Sequence, residues 1–206
     1  MKAYRLVAAL IVWAGLLLQY YLLITGQNGG SFAMRTTNFF SYFTIISNIL
    51  AAIALTAPTV APASPLGRYF AKPGVRTAIV LYATVTAITY VVILAAQWSP
   101  QGLAKLADST LHHVMPALFL IDWLVFVPKG TLRWGSIPGW LALPFAYGLY
   151  SIVRGPMSGF YPYPFMDVPK LGMPAVLVNM GIVALLFVIL ASGFVLLDRV
   201  MKRRRA

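Results

Sequence analysis

The chain of 206 residues has no cysteine and no glutamate, and its only acidic side chains are four aspartates. The absence of cysteine excludes disulfides, thiolate catalysis and cysteine-ligated metal sites. Only 10% of the residues are charged and 60% are hydrophobic, whereas an ordinary soluble domain has about 25% charged residues. This composition excludes a water-soluble globular protein.

The motifs of several enzyme classes are also missing. The chain has no Gly-x-Ser-x-Gly elbow, no Walker loop, no Gly-x-Gly-x-x-Gly segment after a strand and no His-Glu-x-x-His pair. Two histidines without cysteine or glutamate are too few for most transition-metal sites. We therefore expect neither a metal nor a cofactor.

Long hydrophobic runs predict six membrane helices. A bilayer core about 30 Å thick requires about 20 helical residues. Such runs lie at residues 6–25, 38–57, 75–96, 108–127 and 174–197. Residues 137–153 are uncharged but contain two prolines, and they predict a short, kinked fifth span. The sequence thus predicts an all-α polytopic membrane protein, with one six-helix transmembrane domain over residues 1–206.

The sixteen basic residues are divided unequally between the two predicted sides of the membrane. One side, which carries both termini, has Lys2, Arg5, Arg68, Lys72, Arg76, Lys129, Arg133, Arg199, Lys202, Arg203, Arg204 and Arg205. The other side has Arg35, Lys105, Arg154 and Lys170. The positive-inside rule then predicts a multi-pass cell-membrane protein with both termini in the cytoplasm. Anionic membrane lipids, and not nucleic acid, are the expected partners of the basic C-terminus.

The second span carries a polar stripe on an apolar helix. At about 100° per residue, Thr37, Ser41, Thr44 and Asn48 fall within an arc of about 60°. Such stripes commonly form hydrogen bonds between membrane helices, and we favour this interpretation for the stripe as a whole. Thr44 is a candidate functional residue within it.

The fourth span begins with two ionisable side chains one turn apart. Asp108 and His112 have the i, i+4 spacing that lets a carboxylate face an imidazole, and ionisable residues inside a membrane usually serve function. The alternative is that the pair caps the helix at the headgroup level. For His113, about 100° around the helix, we favour a structural role. Asp122 lies deeper, and we expect it to contact a buried hydroxyl, amide or arginine.

The predicted topology brings Thr44 and His112 to similar depths. At 1.5 Å per residue, Thr44 lies about 9 Å and His112 about 6 Å below the outer boundary. If the two helices pack together, the imidazole can activate the hydroxyl for nucleophilic attack.

The last external loop is rich in proline, glycine and aromatic residues. We favour an interfacial aromatic belt. A more specific interpretation is a lid over an outer-leaflet cavity, in which Tyr161, Tyr163 and Phe165 cover an acyl chain and Arg154 or Lys170 meets its carboxylate.

Three segments of the chain carry a family resemblance: SYFTIISN, LHHVMPALFLIDWLVF and YPYPFMDV. They resemble segments that occur in this order in a family of small bacterial six-span integral membrane proteins. The resemblance covers nearly the whole chain, and its third segment adds Asp167 to the candidate substrate-binding residues. More distantly, the chain looks like the eukaryotic androgen-induced and androgen-dependent membrane proteins, six-span threonine hydrolases of fatty acid esters of hydroxy fatty acids. That resemblance implies Thr44 as nucleophile and His112, or alternatively His113, as its base.

Two functions follow from these patterns. The leading hypothesis is an intramembrane threonine hydrolase of a lipid-like ester at the outer leaflet. In it Asp108 orients the imidazole, and Asn48 or Ser47 donates a hydrogen bond to the oxyanion. The alternative is a non-catalytic membrane protein, either a binding or transport module or a subunit of a larger assembly.

Overall fold

The protein is a bundle of six long apolar helices. The computed structural model describes residues 1–26, 29–97 and 99–203, which contain helices and no strands. The six spans are Lys2–Thr25, Phe43–Val60, Pro73–Gln97, Gly102–Phe126, Trp134–Ser158 and Met173–Lys202. Each is long and apolar enough to cross a membrane. The predicted all-α, six-span architecture of an integral membrane protein is confirmed. Arg204 and Arg205, counted above among the basic residues, lie outside the described residues.

The second span differs from its prediction, because the chain does not form one helix over residues 38–57. A short helix, Phe32–Phe40, ends at Ser41, and a new helix begins at Phe43. Two tyrosines of the fifth span make this break possible. The Tyr147 hydroxyl donates to the Ser41 carbonyl at 2.9 Å, and the Tyr150 and Ser41 hydroxyls are 2.8 Å apart. Backbone groups released from a membrane helix need such partners.

The fifth span is longer than its prediction. Its α-helix runs over Ile137–Ser158 and not over 137–153. Pro138 lies in the first turn, where a missing backbone N–H costs nothing. Arg154 lies inside this helix and donates to Asn38 at 2.6 Å, and the helix ends at Gly159 in the left-handed conformation.

A buried cluster of charged residues joins three spans. Arg5 Nε of the first span lies 2.6 Å from Asp122 Oδ1 of the fourth, and Arg76 of the third span donates to the second carboxylate oxygen. Asp122 is fully buried. The predicted contact of Asp122 with a buried partner is thus confirmed, and its partners are arginines.

These contacts define the two ends of the bundle. The start of the first span, the start of the third and the end of the fourth meet at Asp122. The end of the sixth span joins them nearby, because Asp198 accepts from the backbone N–H of Leu132 at 3.0 Å. We call this the termini end, and the opposite side the far end. The candidate site lies toward the far end.

Candidate functional site

Thr44 and His112 are neighbours across two spans. Thr44 Oγ1 lies 3.4 Å from His112 Nε2, and Thr44 is 5% exposed. His112 lies ten residues along the fourth span, which begins at Gly102, and Thr44 lies in the first turn of the second-span helix. The hydroxyl is buried and the imidazole is partly buried, with a side chain that is 14% exposed.

Asp108 binds the other ring nitrogen of His112, Nδ1. His112 Nδ1 lies 3.1 Å from Asp108 Oδ1 and 3.0 Å from the Asp108 backbone carbonyl. Both partners are acceptors, so the neutral ring carries its proton on Nδ1. Nε2 is then the acceptor that faces the Thr44 hydroxyl. The three residues thus have the order nucleophile, base and orienting carboxylate.

Tyr90 completes this network, and the sequence did not point to it. Its hydroxyl donates to Asp108 Oδ2, and its ring stacks on the His112 ring with centroids 4.1 Å apart and planes at 18°. Tyr90 and His112 each lie in a π-helical segment, Tyr90–Leu94 and Thr110–Val114. Such segments are frequent at functional sites, because the wider turn redirects side chains. A tyrosine inside an apolar span was the available signal, but its partner is in the next span.

His113 lies outside this arrangement. It is exposed, and it touches only the edge of the Tyr90 ring, at 5.2 Å between centroids, among its described ring contacts. The structure therefore brings His112, and not His113, to Thr44.

Tyr163 covers Thr44 from the opposite side. Its hydroxyl oxygen accepts from the Thr44 backbone N–H at 3.1 Å and lies 3.2 Å from Thr44 Oγ1. Thr44 is in the first turn of its helix, where backbone N–H groups have no helical acceptor. Burial raises the pKa of the Tyr163 phenol above its ordinary value, so the phenol stays protonated. When the Thr44 hydroxyl donates to His112 Nε2, the Tyr163 hydroxyl donates in turn to Thr44 Oγ1.

Ser47 and Asn48 support the backbone around Thr44. Ser47 Oγ donates to the Thr44 carbonyl at 3.0 Å. Asn48 Nδ2 donates to the carbonyls of Thr44, at 2.8 Å, and Leu111, at 3.1 Å. Both side chains thus donate to backbone carbonyls, and the oxyanion role suggested for them stays a prediction. Asn48 thereby links the first turn of the second span to the fourth, and the Ser47 hydroxyl lies 3.4 Å from that of Thr86 in the third.

A cavity of about 270 Å³ opens beside Thr44. Its lining is mostly apolar, and the polar side chains in it include Thr44, Thr86, Thr89 and Tyr163. Four spans surround it: the second, third, fifth and sixth. His112 is not among the lining residues, so Thr44 stands between its base and the cavity.

The five candidate substrate-binding residues separate into two groups. Tyr163 and Phe165 line the cavity, and their rings stack with centroids 5.3 Å apart. Arg154, Tyr161 and Asp167 lie away from the lining. Arg154 binds Asn38, Tyr161 lies where a side chain on Gly155 would be, and Asp167 pairs with Lys170 at 3.2 Å. The loop therefore reaches the cavity through two aromatic rings.

The described part of the chain holds no group of three or more histidine or acidic side chains suited to a metal ion. Comparisons with protein-family models, with curated proteins and with solved structures find no match to this chain. The function is therefore inferred from the geometry around Thr44.

Proposed function

We propose that the protein is an intramembrane threonine hydrolase that cleaves lipid-like esters at the outer leaflet. One observation carries the proposal: Thr44 lies between a histidine held by a carboxylate and an apolar cavity. A hydroxyl inside a membrane bundle needs only one hydrogen-bond partner for stability. Here hydrogen bonds connect Tyr90, Asp108, His112 and Thr44 in that order. This network is larger than stability alone requires, and it fits the activation of a nucleophile.

In the first step Thr44 Oγ1 attacks the ester carbonyl carbon, and its proton passes to His112 Nε2. Asp108 stabilises the imidazolium that forms, while Tyr90 holds the second oxygen of that carboxylate. The 3.4 Å separation is compatible with this role, because catalytic hydrogen bonds are often long before substrate binds.

The carbonyl oxygen becomes an oxyanion, and two donors lie beside Thr44 to receive it. They are the Thr44 backbone N–H, which currently donates to Tyr163, and the Tyr163 hydroxyl itself. The partial positive charge at the start of the second-span helix adds to their effect. Preorganised donors of this kind stabilise the transition state more than the ground state.

The remaining steps return the site to its starting state. The imidazolium gives its proton to the leaving alcohol oxygen, and the acyl group stays bonded to Thr44 Oγ1. His112 Nε2 then takes a proton from a water molecule, whose oxygen attacks the acyl carbon. Collapse of this second intermediate releases the carboxylic acid, and the proton on His112 returns to Thr44.

The unequal numbers of basic residues on the two sides support the proposed orientation. In it the far end faces the cell exterior and both termini lie in the cytoplasm. The site is then reached from the outer leaflet. The resemblance of the Thr44 and His112 segments to six-span threonine hydrolases supports the same chemistry.

The test is turnover of a fluorogenic acyl ester by purified protein in detergent. Thr44→Ala and His112→Ala should each lose activity by about 10³-fold or more, since members of such a unit fail together. His113→Ala is the matched control and should retain activity, because His113 is exposed beside Tyr90 and away from Thr44. Undiminished turnover in both Thr44→Ala and His112→Ala would remove the proposal.

The long Thr44 to His112 distance also fits the alternative, a non-catalytic binding or transport module. An acyl-directed probe such as a fluorophosphonate separates the two functions. A hydrolase forms a covalent adduct on Thr44 that intact mass detects and that His112→Ala abolishes. A binding module forms none, while still taking up an apolar ligand.

A further inference from the structure

The cavity beside Thr44 is a passage with few polar side chains in a mostly apolar lining. Polar side chains in the lining include Thr44, Thr86, Thr89 and Tyr163, and apolar side chains of the second, third, fifth and sixth spans form most of the walls. Phe43 and Phe187 belong to these walls, with ring centroids 5.9 Å apart. A ligand with a single polar group at one end of an apolar body therefore matches the lining.

One arm of the passage runs from Thr44 toward the termini end. Tyr147 is at the level of Thr44, because its ring packs on Phe43 and its hydroxyl binds Ser41. The lining continues along the fifth span back to Leu141. From Leu149 to Leu141 the walls follow eight residues, a length of about 12 Å. Along the sixth span they follow the same number of residues, from Met180 to Val188.

The passage opens sideways through the surface of the bundle. Four lining residues are also exposed: Phe145 and Leu149 of the fifth span, and Ala184 and Val188 of the sixth. The seam between these spans is thus a lateral opening. The surface beside it is apolar, with Val153 and Leu185 exposed. In a membrane this surface faces lipid tails, so a ligand reaches the cavity from the bilayer.

These dimensions select one class of ligand. Three backbone bonds of an extended chain span about 3.6 Å, or about 1.2 Å per bond, so 12 Å corresponds to about ten bonds. A volume of about 270 Å³ is at the lower limit of sites for drug-sized molecules. One extended acyl chain fits these dimensions.

We propose that the cavity is a binding site for one unbranched acyl chain of about ten carbon atoms. The chain enters from the bilayer through the seam between the fifth and sixth spans, and its carbonyl end lies at Thr44. This rests on the proposed function, which it deepens by assigning medium-chain esters as the substrate class. The inner wall at Leu141 limits the chain length.

Gly148 provides a way to shorten the passage. It lines the cavity, and a Cβ atom added there would lie 2.8 Å from the terminal methyl group of Met180. A leucine side chain at this position fills space that the acyl chain occupies. Gly181 of the sixth span is the matched control, because an added Cβ meets nothing within 4 Å and the residue is exposed.

The experiment is photolabelling of the purified full-length protein with diazirine-bearing fatty acids of about six, ten and sixteen carbon atoms. Mass spectrometry locates the adducts. We expect the ten-carbon probe to label residues of the fifth and sixth spans at least tenfold more than the sixteen-carbon probe. Gly148→Leu should lower that labelling at least tenfold and leave the six-carbon probe less affected, whereas Gly181→Leu should change neither.

Equal labelling by all chain lengths, or full labelling of a folded Gly148→Leu, would overturn the acyl-chain site. If Gly148→Leu does not fold, Leu141→Trp is the substitute, because it closes the inner end of the passage. It should lower labelling by the ten-carbon probe in the same way. Labelling requires no hydrolysis, so the two proposals fail separately. Labelling without ester turnover would contradict only the hydrolase proposal. Turnover with labelling that shows no chain-length preference would contradict only the acyl-chain site.

Discussion

The phenol oxygen of Tyr163 lies 3.1 Å from the Thr44 backbone nitrogen and 3.2 Å from the Thr44 hydroxyl oxygen. A loop residue between the fifth and sixth spans is thereby fixed to the first turn of the second. The contact exists because the helix breaks at Ser41 and Tyr42, which leaves the Thr44 N–H without a helical acceptor. The break thus determines the position of Thr44 and frees its backbone N–H to donate to Tyr163.

Tyr163→Phe should lower ester turnover while leaving the bundle folded. The substitution removes one of the two proposed oxyanion donors, and loss of such a donor costs about 10²- to 10³-fold in kcat. Steady-state kinetics in detergent measure the effect, and KM should change little because the ring still lines the cavity. Tyr161→Phe is the control, since Tyr161 does not line the cavity. Equal kcat values for the two variants would contradict the role of Tyr163.

Asp108→Asn should reduce turnover even though the side chain keeps its shape. The carboxylate accepts from His112 Nδ1 and from the Tyr90 hydroxyl. An amide can present its N–H₂ group to Nδ1, which favours the tautomer with the proton on Nε2 and removes the base that Thr44 needs. By analogy with hydrolase triads the loss is about 10²- to 10⁴-fold in kcat. Asp167→Asn, in an ion pair with the exposed Lys170, should have no effect on kcat.

The buried phenol of Tyr163 should make folding stability decrease at alkaline pH. Burial raises its folded-state pKa above the unfolded value of about 10. Between those two values the folded state binds more protons than the unfolded state, so stability is complete below about pH 10 and falls as the pH rises above it. Unfolding temperatures at about pH 8 and pH 10.5 should differ more for the native protein than for Tyr163→Phe. An equal difference would show that this phenol ionises freely in the folded protein.

The sequence predicts the spans better than it predicts the site. Span positions follow from the length of apolar runs, which is a local property. The break at Ser41 escaped prediction because the run is continuous there. Its partners, Tyr147 and Tyr150, come from another helix.

Within the site, the sequence predicts contacts between residues of one helix better than contacts between different elements. Asp108 and His112 share a helix face, so their contact follows from the i, i+4 pattern. Tyr90 and Tyr163 reach the same place through the packing of other elements, and no periodicity encodes that packing. The oxyanion role suggested for Ser47 and Asn48 assumed free side-chain donors, whereas both bind backbone carbonyls.

The cluster of Arg5, Asp122 and Arg76 makes a prediction about stability that is separate from catalysis. Asp122 is fully buried and contacts both guanidinium groups, so Asp122→Asn leaves two buried cations without an anion. Breaking a buried ion pair in this way costs about 3 to 5 kcal/mol in unfolding free energy. The loss of Asp167, whose partner Lys170 is 78% exposed, should cost no more than about 1 kcal/mol. Reversible denaturation in mixed detergent measures both changes.

A triple variant separates the lost attraction from the cost of unpaired charge. Replacing Arg5 and Arg76 with Met and Asp122 with Leu removes all three charges from the protein interior. Apolar replacement of a buried ion cluster is often neutral or stabilising, so the triple variant should be more stable than Asp122→Asn. If it is instead the less stable of the two, the hydrogen bonds of Arg76 to the carbonyls of Ala54 and Phe70 contribute more to stability than the charge balance does.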